Sequence, residues 1–528
     1  MRREWVQKLL IVILFGAYFM MGILVYKDYG ISTDEPDERE TTFTNLKYAM
    51  DTLGIDGLEG ANGDLENYDY RYYGIAMQIP PALVEWAKDF PGGATIYYMR
   101  HLWTFIVCFL GYICFYLMCR EILKSRWLSL AGTAMIALYP RFFAEQFYNI
   151  KDMIFVSMVM VSMYMTVRVI ESKCSVFWTL LFAVASALTT NVRIVGIIFP
   201  VLLLGYLWLV EILNRCKQNT GEESCHVVRT SILIALEYWL AYVGSMPILW
   251  KNPIKETLAV FTKFSDYDGW NGTIVFMGRI IGGDEIPWYY IPVWLLISLP
   301  VWYLVLLVLA AAVFVLAWIR KIKRHDKMQI NILFHNKYVF WAFFIGFLPW
   351  IATVAARSTL YNAWRHCYFL LPPMVLIILS GLRRLGNYLG KNMLRVGLTF
   401  AMFFCLAVQA CWIIKNHPYE MVYLNAASRK WGADFDRDYW HLANLKLCRY
   451  ILEKDDSETI TLGASGDRFL LFLSDEEKER ISMEENPMYY LETYRGKTGN
   501  GSEMEGYEDY YSITVDGYRI ATIFKRKF

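Results

Sequence analysis

Ser32-Thr33-Asp34-Glu35-Pro36-Asp37-Glu38-Arg39-Glu40 sets five acids and one arginine immediately after the apolar run 9–26. A run of that length and composition spans a bilayer, so the acids stand where the first helix leaves the membrane. Carboxylates at that depth are costly unless they face a cavity or a partner. The plainer alternative is a solvated loop that opens an external segment, and the acids alone do not separate the two. The rest of the chain has to decide.

The composition points to the membrane. The chain is 56% hydrophobic and 17% aromatic with 19% charged residues, whereas soluble domains run at roughly 45–50% apolar and about 25% charged. A net charge of +2 supplies no basic field, so nucleic acid is not an expected partner. The ten cysteines are scattered, without CxxC pairs or His/Cys ligand spacing, which predicts neither a zinc site nor a disulfide framework. Arg2, Arg3 and Lys8 precede the first run and no small-residue cleavage site follows it, so it reads as a retained signal anchor.

Further apolar runs lie at 102–119, 128–139, 153–167, 176–189, 194–213, 231–250, 291–318, 339–355, 368–380 and 396–414. With the first they give about eleven spans. Run 291–318 is overlong and Pro300 predicts a kink or an interfacial start. Lys and Arg choose the orientation. Arg120, Lys124, Arg126, Arg320, Lys321, Lys323, Arg324, Lys327, Arg383, Arg384, Lys391 and Arg395 fall on the N-terminal side. That side carries about twice the cations of the opposite short loops, which makes it cytoplasmic.

The expected fold is therefore an all-α polytopic membrane domain over 1–415, N-terminus inside, with a first external loop over 27–100. In that loop, 54–67 is Gly/Asn/Asp-rich coil and 82–90 a short surface helix. Hydropathy collapses after Lys415, and 416–528 reads as a small extracytoplasmic α/β domain. It is predicted to hold a helix over 438–454, a strand over 459–463 and a hairpin turning at Asp516-Gly517.

Four outward-facing stretches place charges against span ends: Asp34-Glu35 with Arg39, Arg141 through Lys151-Asp152, Arg193, and Trp364-Arg365-His366. Single cations there commonly snorkel, and a lone His is more often structural than catalytic. Yet cations are depleted on this face by the orientation rule, so their recurrence points to an anionic ligand. A lipid-linked sugar phosphate offers its phosphate at headgroup depth, where Arg and Lys hold it. An acceptor hydroxyl needs a general base within hydrogen-bond reach, and a carboxylate serves. No Walker loop or dinucleotide fingerprint is present. Within the acidic stretch Asp37, Glu38 and Glu40 are expected to be solvated.

Ser32-Thr33-Asp34-Glu35-Pro36 after the first span resembles the acidic motif of family-39-like glycosyltransferases of the C-type membrane fold. These include protein O-mannosyltransferases and lipid A aminoarabinose transferases. Pro140-Arg141-Phe142-Phe143 with Asn149-Ile150-Lys151-Asp152 is similar to their second acidic loop. Trp364-Arg365-His366 with Tyr368 is similar to a motif before a late span in uncharacterised bacterial members, and His417-Pro418-Tyr419-Glu420 and Asp438-Tyr439-Trp440 to the start of their external domain. The resemblance implies a multi-pass cell-membrane enzyme with a polyprenyl-phosphate sugar donor, an extracytoplasmic acceptor glycan, lipid or protein, and inversion at the anomeric carbon. It would make Asp34 the base, Glu35 its neighbour and Asp152 an assistant. Lys151, Arg39, Arg193 and Arg365 would hold phosphate or sugar, with Arg141 and His366 as further binding candidates. It implies no metal or other cofactor, although Asp34, Glu35 and Asp152 form a conceivable divalent-ion set. The region after Arg39 and the last 70 or so residues match nothing in that family, so sugar and acceptor stay open. The competing reading is a transporter or flippase of a lipid-linked intermediate. Transporters show internal repeats and midplane charges, and neither is visible here.

Overall fold

The computed structural model describes residues 2–88, 92–216, 226–265, 270, 272–323, 337–389, 392–499 and 504–527. Arg324, Lys327 and Lys391 lie outside them. Nine described helices are long and apolar enough to cross a membrane: Glu4–Val25, Ala94–Leu123, Asp152–Glu171, Ile194–Leu213, Val227–Gly244, Val301–Arg320, Lys337–Ala355, Arg365–Tyr388 and Val396–Asn416. The runs 128–139 and 176–189 are helical too, but shorter, as Arg126–Ala137 and Val176–Val192.

The helix Asp152–Glu171 is the axis of the bundle. Of its apolar window 72% is buried, against 11% for Glu4–Val25. A helix apolar on every side belongs in the interior, and Met, Val, Ile and Phe surround this one. Ala94–Leu123 closes on it through Gly111, where a Cβ would stand 2.9 Å from Ser157 Cα. Small residues permit such approach where lipid offers no hydrophobic drive between helices. Asp152 therefore sits at the end of the most enclosed of these spans.

Run 291–318 is two helices, Tyr290–Ser298 and Val301–Lys323, parted at Pro300. The carbonyls freed at that break are met from the segment beyond the last span. Asn425 Nδ2 donates to Leu296 O at 2.7 Å and Leu299 O at 2.9 Å, and Ser428 Oγ donates to Ile297 O at 2.7 Å. Backbone left unpaired at membrane depth is expensive, so this clamp ties the C-terminal region to the bundle.

The acidic stretch opens a helix, Glu35–Leu53, which composition alone does not reveal. Asp34 occupies the N-cap and Pro36 the first turn, followed by Asp37 and Glu38. Proline is pre-set for a first turn, and acids there complement the positive end of the helix. The expected surface helix 82–90 is Ile79–Lys88. Its two prolines begin the helix instead of ending the loop, and Leu83, Val84 and Trp86 are exposed.

Beyond Asn416, the helix Ala443–Lys454 packs on a five-stranded sheet. Its strands are β3 (Ile460–Ala464), β4 (Ile481–Met483), β5 (Tyr489–Glu492), β6 (Tyr507–Val515) and β7 (Tyr518–Arg526), while β1 (Thr273–Phe276) and β2 (Arg279–Gly282) form a separate hairpin. The order is β4-β3-β5-β7-β6, with β3 parallel to β4 and β5 and the remaining pairs antiparallel. Asp516 and Gly517 both take positive φ, 49° and 91°, as a two-residue type I′ hairpin requires. The β1–β2 hairpin, in the connection after Val227–Gly244, leans on this region: Gly278 N donates to Asp434 O at 2.9 Å, and Val275 N to Asp436 Oδ1 at 3.0 Å.

Candidate active site

Asp34 and Glu35 are adjacent in sequence and part company in space. Glu35 is fully buried. One carboxylate oxygen accepts from Ser32 N at 2.7 Å and the other lies 2.9 Å from His101 Nε2. Ser32 lies in the turn and His101 on Ala94–Leu123, so Glu35 fastens the turn to that helix. Asp34 is 41% exposed and makes no capping bond to its own helix. It faces a cavity of about 540 Å³ at this end of the bundle.

The cavity wall is built of paired charges. Arg365 Nη1 donates to Asp34 Oδ2 at 3.0 Å and lies 3.6 Å from Asp152 Oδ2. Its guanidinium stands over the Trp440 ring at 4.4 Å and the Tyr361 ring at 5.0 Å. Arg193 pairs with Asp152, and Lys151 pairs with Glu38 while standing 3.7 Å over the Tyr73 ring. The His366 ring packs at 4.3 Å against that of Tyr361, tilted by 51°. Lys151, Arg193, Arg365 and His366 thus share the cavity with Asp34, and Asp152, 1% exposed, holds two of them from behind.

Behind Asp152 a buried network fixes its position. Asn149 Oδ1 accepts from Asp152 N at 2.9 Å, and Asn149 Nδ2 donates to Asp152 Oδ2 at 3.2 Å and to Glu145 Oε2 at 2.6 Å. Glu145 also accepts from Tyr368 at 2.6 Å and Tyr439 at 3.3 Å. Burial pushes the Glu145 carboxyl up to about 7, against the pull of those donors. Polar groups without water hold one geometry only when every member has a partner.

Two expected ligands lie elsewhere. Arg39 pairs with Glu85, which also accepts from Arg100 at 2.9 Å; that group braces Glu35–Leu53 against Ala94–Leu123. Arg141 is fully buried, donates to Tyr423 O at 3.2 Å and stands 5.1 Å from the Trp294 ring. Neither lines the cavity.

Asp37 and Glu38, expected to be solvated, both line it: Asp37 accepts from Arg468 at 2.9 Å and Glu38 from Lys151. The signal for Glu38 was its place one turn after Asp34, legible once the helix start is recognised. Trp440 belongs to the Asp438-Tyr439-Trp440 motif, which gave it no role; for Arg468 and Arg495, which also reach the site from the C-terminal region, no local signal exists. Arg357, Lys151, Arg193, Arg365 and Arg495 stand against Asp34, Asp37 and Glu38 on the described wall. A net positive, partly enclosed hollow with accessible acids suits an anionic ligand and a proton acceptor.

Residues 78–247, just under a third of the chain, match the family model for dolichyl-phosphate-mannose-protein mannosyltransferase. This segment contributes Lys151, Asp152 and Arg193. No curated protein matches the chain by sequence. Among solved structures, ArnT from Cupriavidus metallidurans bound to undecaprenyl phosphate aligns over 97% of both chains at 10% identity, with a TM-score of 0.45. The apo oligosaccharyltransferase of Archaeoglobus fulgidus aligns over 88% of this chain and 64% of its own, at 11% identity and a TM-score of 0.43. The match over 78–247 makes this central part of the bundle, with Lys151, Asp152 and Arg193 in it, similar to that mannosyltransferase family.

Proposed function

We propose that the chain moves a sugar from a polyprenyl-phosphate donor to an acceptor hydroxyl at the outer face of the membrane, with inversion and with Asp34 as general base. The observation that carries this reading is Asp34 itself: an accessible carboxylate held by Arg365 in a cavity lined by more cations than acids. Its Arg365-bound oxygen is fixed, and the second oxygen has no hydrogen-bond partner among the described residues.

In the reaction, Asp34 takes the proton of the acceptor hydroxyl as that oxygen bonds to the anomeric carbon. The anomeric carbon–phosphate oxygen bond breaks with its electron pair staying on the phosphate, and polyprenyl phosphate leaves. Charge thus grows on the phosphate as the sugar departs, and preorganised cations stabilise it there. Lys151, Arg193 and Arg365 supply positive charge, while Asp152 orients Arg193 and Arg365. Attack from the face opposite the phosphate gives inversion. The cation-rich short connections at the other end of the bundle support the outward orientation. The three wall acids and Asp152 all have Lys or Arg partners, which supports activity without a divalent ion.

The test uses purified full-length protein in vesicles with a radiolabelled polyprenyl-phosphate sugar and acceptor from host membranes. Label leaving the lipid for the acceptor supports the reading. Label that crosses the bilayer while staying on the lipid would replace it with the flippase reading.

A further inference from the structure

Arg495 differs from the other cations around Asp34. It follows β5 in the C-terminal domain and lines the cavity, within the electrostatic reach of Arg365 and Asp34. Lys151, Arg193 and Arg365 each have a carboxylate partner. Arg495 has no ion pair among the described residues; the atom facing it is His441 Nε2, at 3.5 Å from Nη1. Arg357 also has no ion pair among them but is exposed, so water solvates it. Arg495 is partly buried, and burial together with the Arg365 charge lowers its pKa. The Asp34 and Asp436 carboxylates offset this only in part, and an anion between two partly desolvated guanidiniums would be stabilised by both.

The chain builds a support for that cation. His441 has a positive φ of 62°, unusual for a side chain with a Cβ. Its ring lies against Gly466, where a Cβ would come within 2.7 Å of the imidazole. Nδ1 is 2.6 Å from Thr493 Oγ1, which fixes the ring plane. Burial and the neighbouring Arg495 charge hold the imidazole near a pKa of about 3, so the ring is neutral. With Nδ1 carrying the proton toward Thr493, Nε2 presents a lone pair to the guanidinium.

We propose that Arg495 is a phosphate ligand contributed by the C-terminal domain, completing the donor site opposite Arg365, and that neutral His441 is the positioning residue that aims it. This rests on the donor reading above and adds to it a role for the domain. Two neighbours show the domain already seated on the site: Arg468 on Asp37, and Trp440, whose backbone oxygen accepts from Thr33 Oγ1 at 3.3 Å. The donor would then be gripped between the membrane bundle and the domain, with each cation donating charge-assisted hydrogen bonds to phosphate oxygens.

The experiment measures undecaprenyl monophosphate binding to detergent-solubilised full-length protein. Size-exclusion profile and thermal unfolding confirm the fold of each variant. Arg495→Gln is expected to weaken binding by about tenfold to a hundredfold, the usual worth of a hydrogen bond to a charged group. Arg495→Lys, which keeps the charge and loses the fork, should fall between it and the parent. His441→Ala should weaken binding in the parent but add nothing in the Arg495→Gln background, a non-additivity that general destabilisation would not produce. Unchanged affinity in folded Arg495→Gln overturns the proposal. So does a raised KM for the acceptor with unchanged polyprenyl-phosphate affinity, since the anion recognised would then belong to the acceptor. If the parent protein binds no polyprenyl phosphate, the donor reading itself falls; parent binding with an indifferent Arg495 removes only this inference.

Discussion

Asp34→Asn separates chemistry from structure more sharply than any other single change. The substitution keeps shape, and the amide oxygen still accepts from Arg365 Nη1, 3.0 Å away in the parent. It removes one charge and the ability to take a proton. Because Asp34 is 41% exposed, its pair with Arg365 is worth at most about 1 kcal/mol after solvent screening. Arg365 also keeps Asp152 at 3.6 Å, so it is not left without a counter-charge. A positioned base, by contrast, is worth about 10²–10⁴ in rate, or roughly 2.7–5.5 kcal/mol of barrier. The variant should therefore express and unfold almost as the parent does while its kcat falls by two to four orders of magnitude. Its affinity for polyprenyl phosphate should be equal or tighter, since one negative charge has left an anion site. Steady-state transfer of radiolabel, thermal unfolding and lipid-phosphate binding on the same preparation read all three. Near-parent turnover in a folded Asp34→Asn protein would refute the base assignment, and weaker phosphate binding would refute the placement of Asp34 beside the phosphate.

Glu35→Ala should show the opposite pattern. Removing a fully buried carboxylate from Ser32 N and His101 costs about 1–3 kcal/mol, so unfolding temperature and yield drop while turnover per folded molecule largely persists. Transfer activity should survive EDTA, because the cavity acids already have cationic partners; loss restored by Mg²⁺ or Mn²⁺ would contradict this. Glu145, raised from 4.5 to about 7, binds a proton in the folded state that the unfolded chain has released above its own pKa. Stability from this group is thus fully present below about pH 4.5, declines as pH rises to about 7, and is flat above, a change of ~3 kcal/mol. Thermal unfolding against pH should show that decline, and Glu145→Gln should flatten it.

The membrane class was legible because hydrocarbon imposes length and apolarity on every span, and each of the eleven apolar runs contains a helix. The break at Pro300 followed from its missing N–H. The hairpin at Asp516-Gly517 followed from the demand for two positive φ values. Helix Glu35–Leu53 was missed although its start carries a recognisable signal, acids and a proline in one turn; the stretch was judged by charge density and not by position. Arg39 and Arg141 illustrate a harder limit. A cation beside a motif has the same local sequence whether it meets substrate or a buried acid, and only tertiary pairing with Glu85 or stacking on Trp294 decides. Arg495 lies 461 positions beyond Asp34 in the numbering of the chain, so no periodicity connects them.

The divergence of Asp34 and Glu35 follows from helix geometry. Successive residues at a helix start point about 100° apart, so one acid can face the cavity only if the next turns toward the packing. Glu35 turns inward and finds His101 on the neighbouring helix, which fixes the start of its own helix. Asp34, held by that anchor and by Arg365, makes no capping bond to its own helix and keeps an oxygen without a hydrogen-bond partner among the described residues. On the far side, Asp152 is set by Asn149 at the end of the most buried span. Both acids therefore sit on rigid supports, and Arg365 joins them. Little reorganisation is left for the moment of reaction, which is the condition under which fixed charges lower a barrier most. Loosening Glu35 or Asn149 should thus reduce kcat even though neither touches substrate. The reduction for Glu35 should remain small beside that of Asp34→Asn, because Arg365 alone still restrains the base.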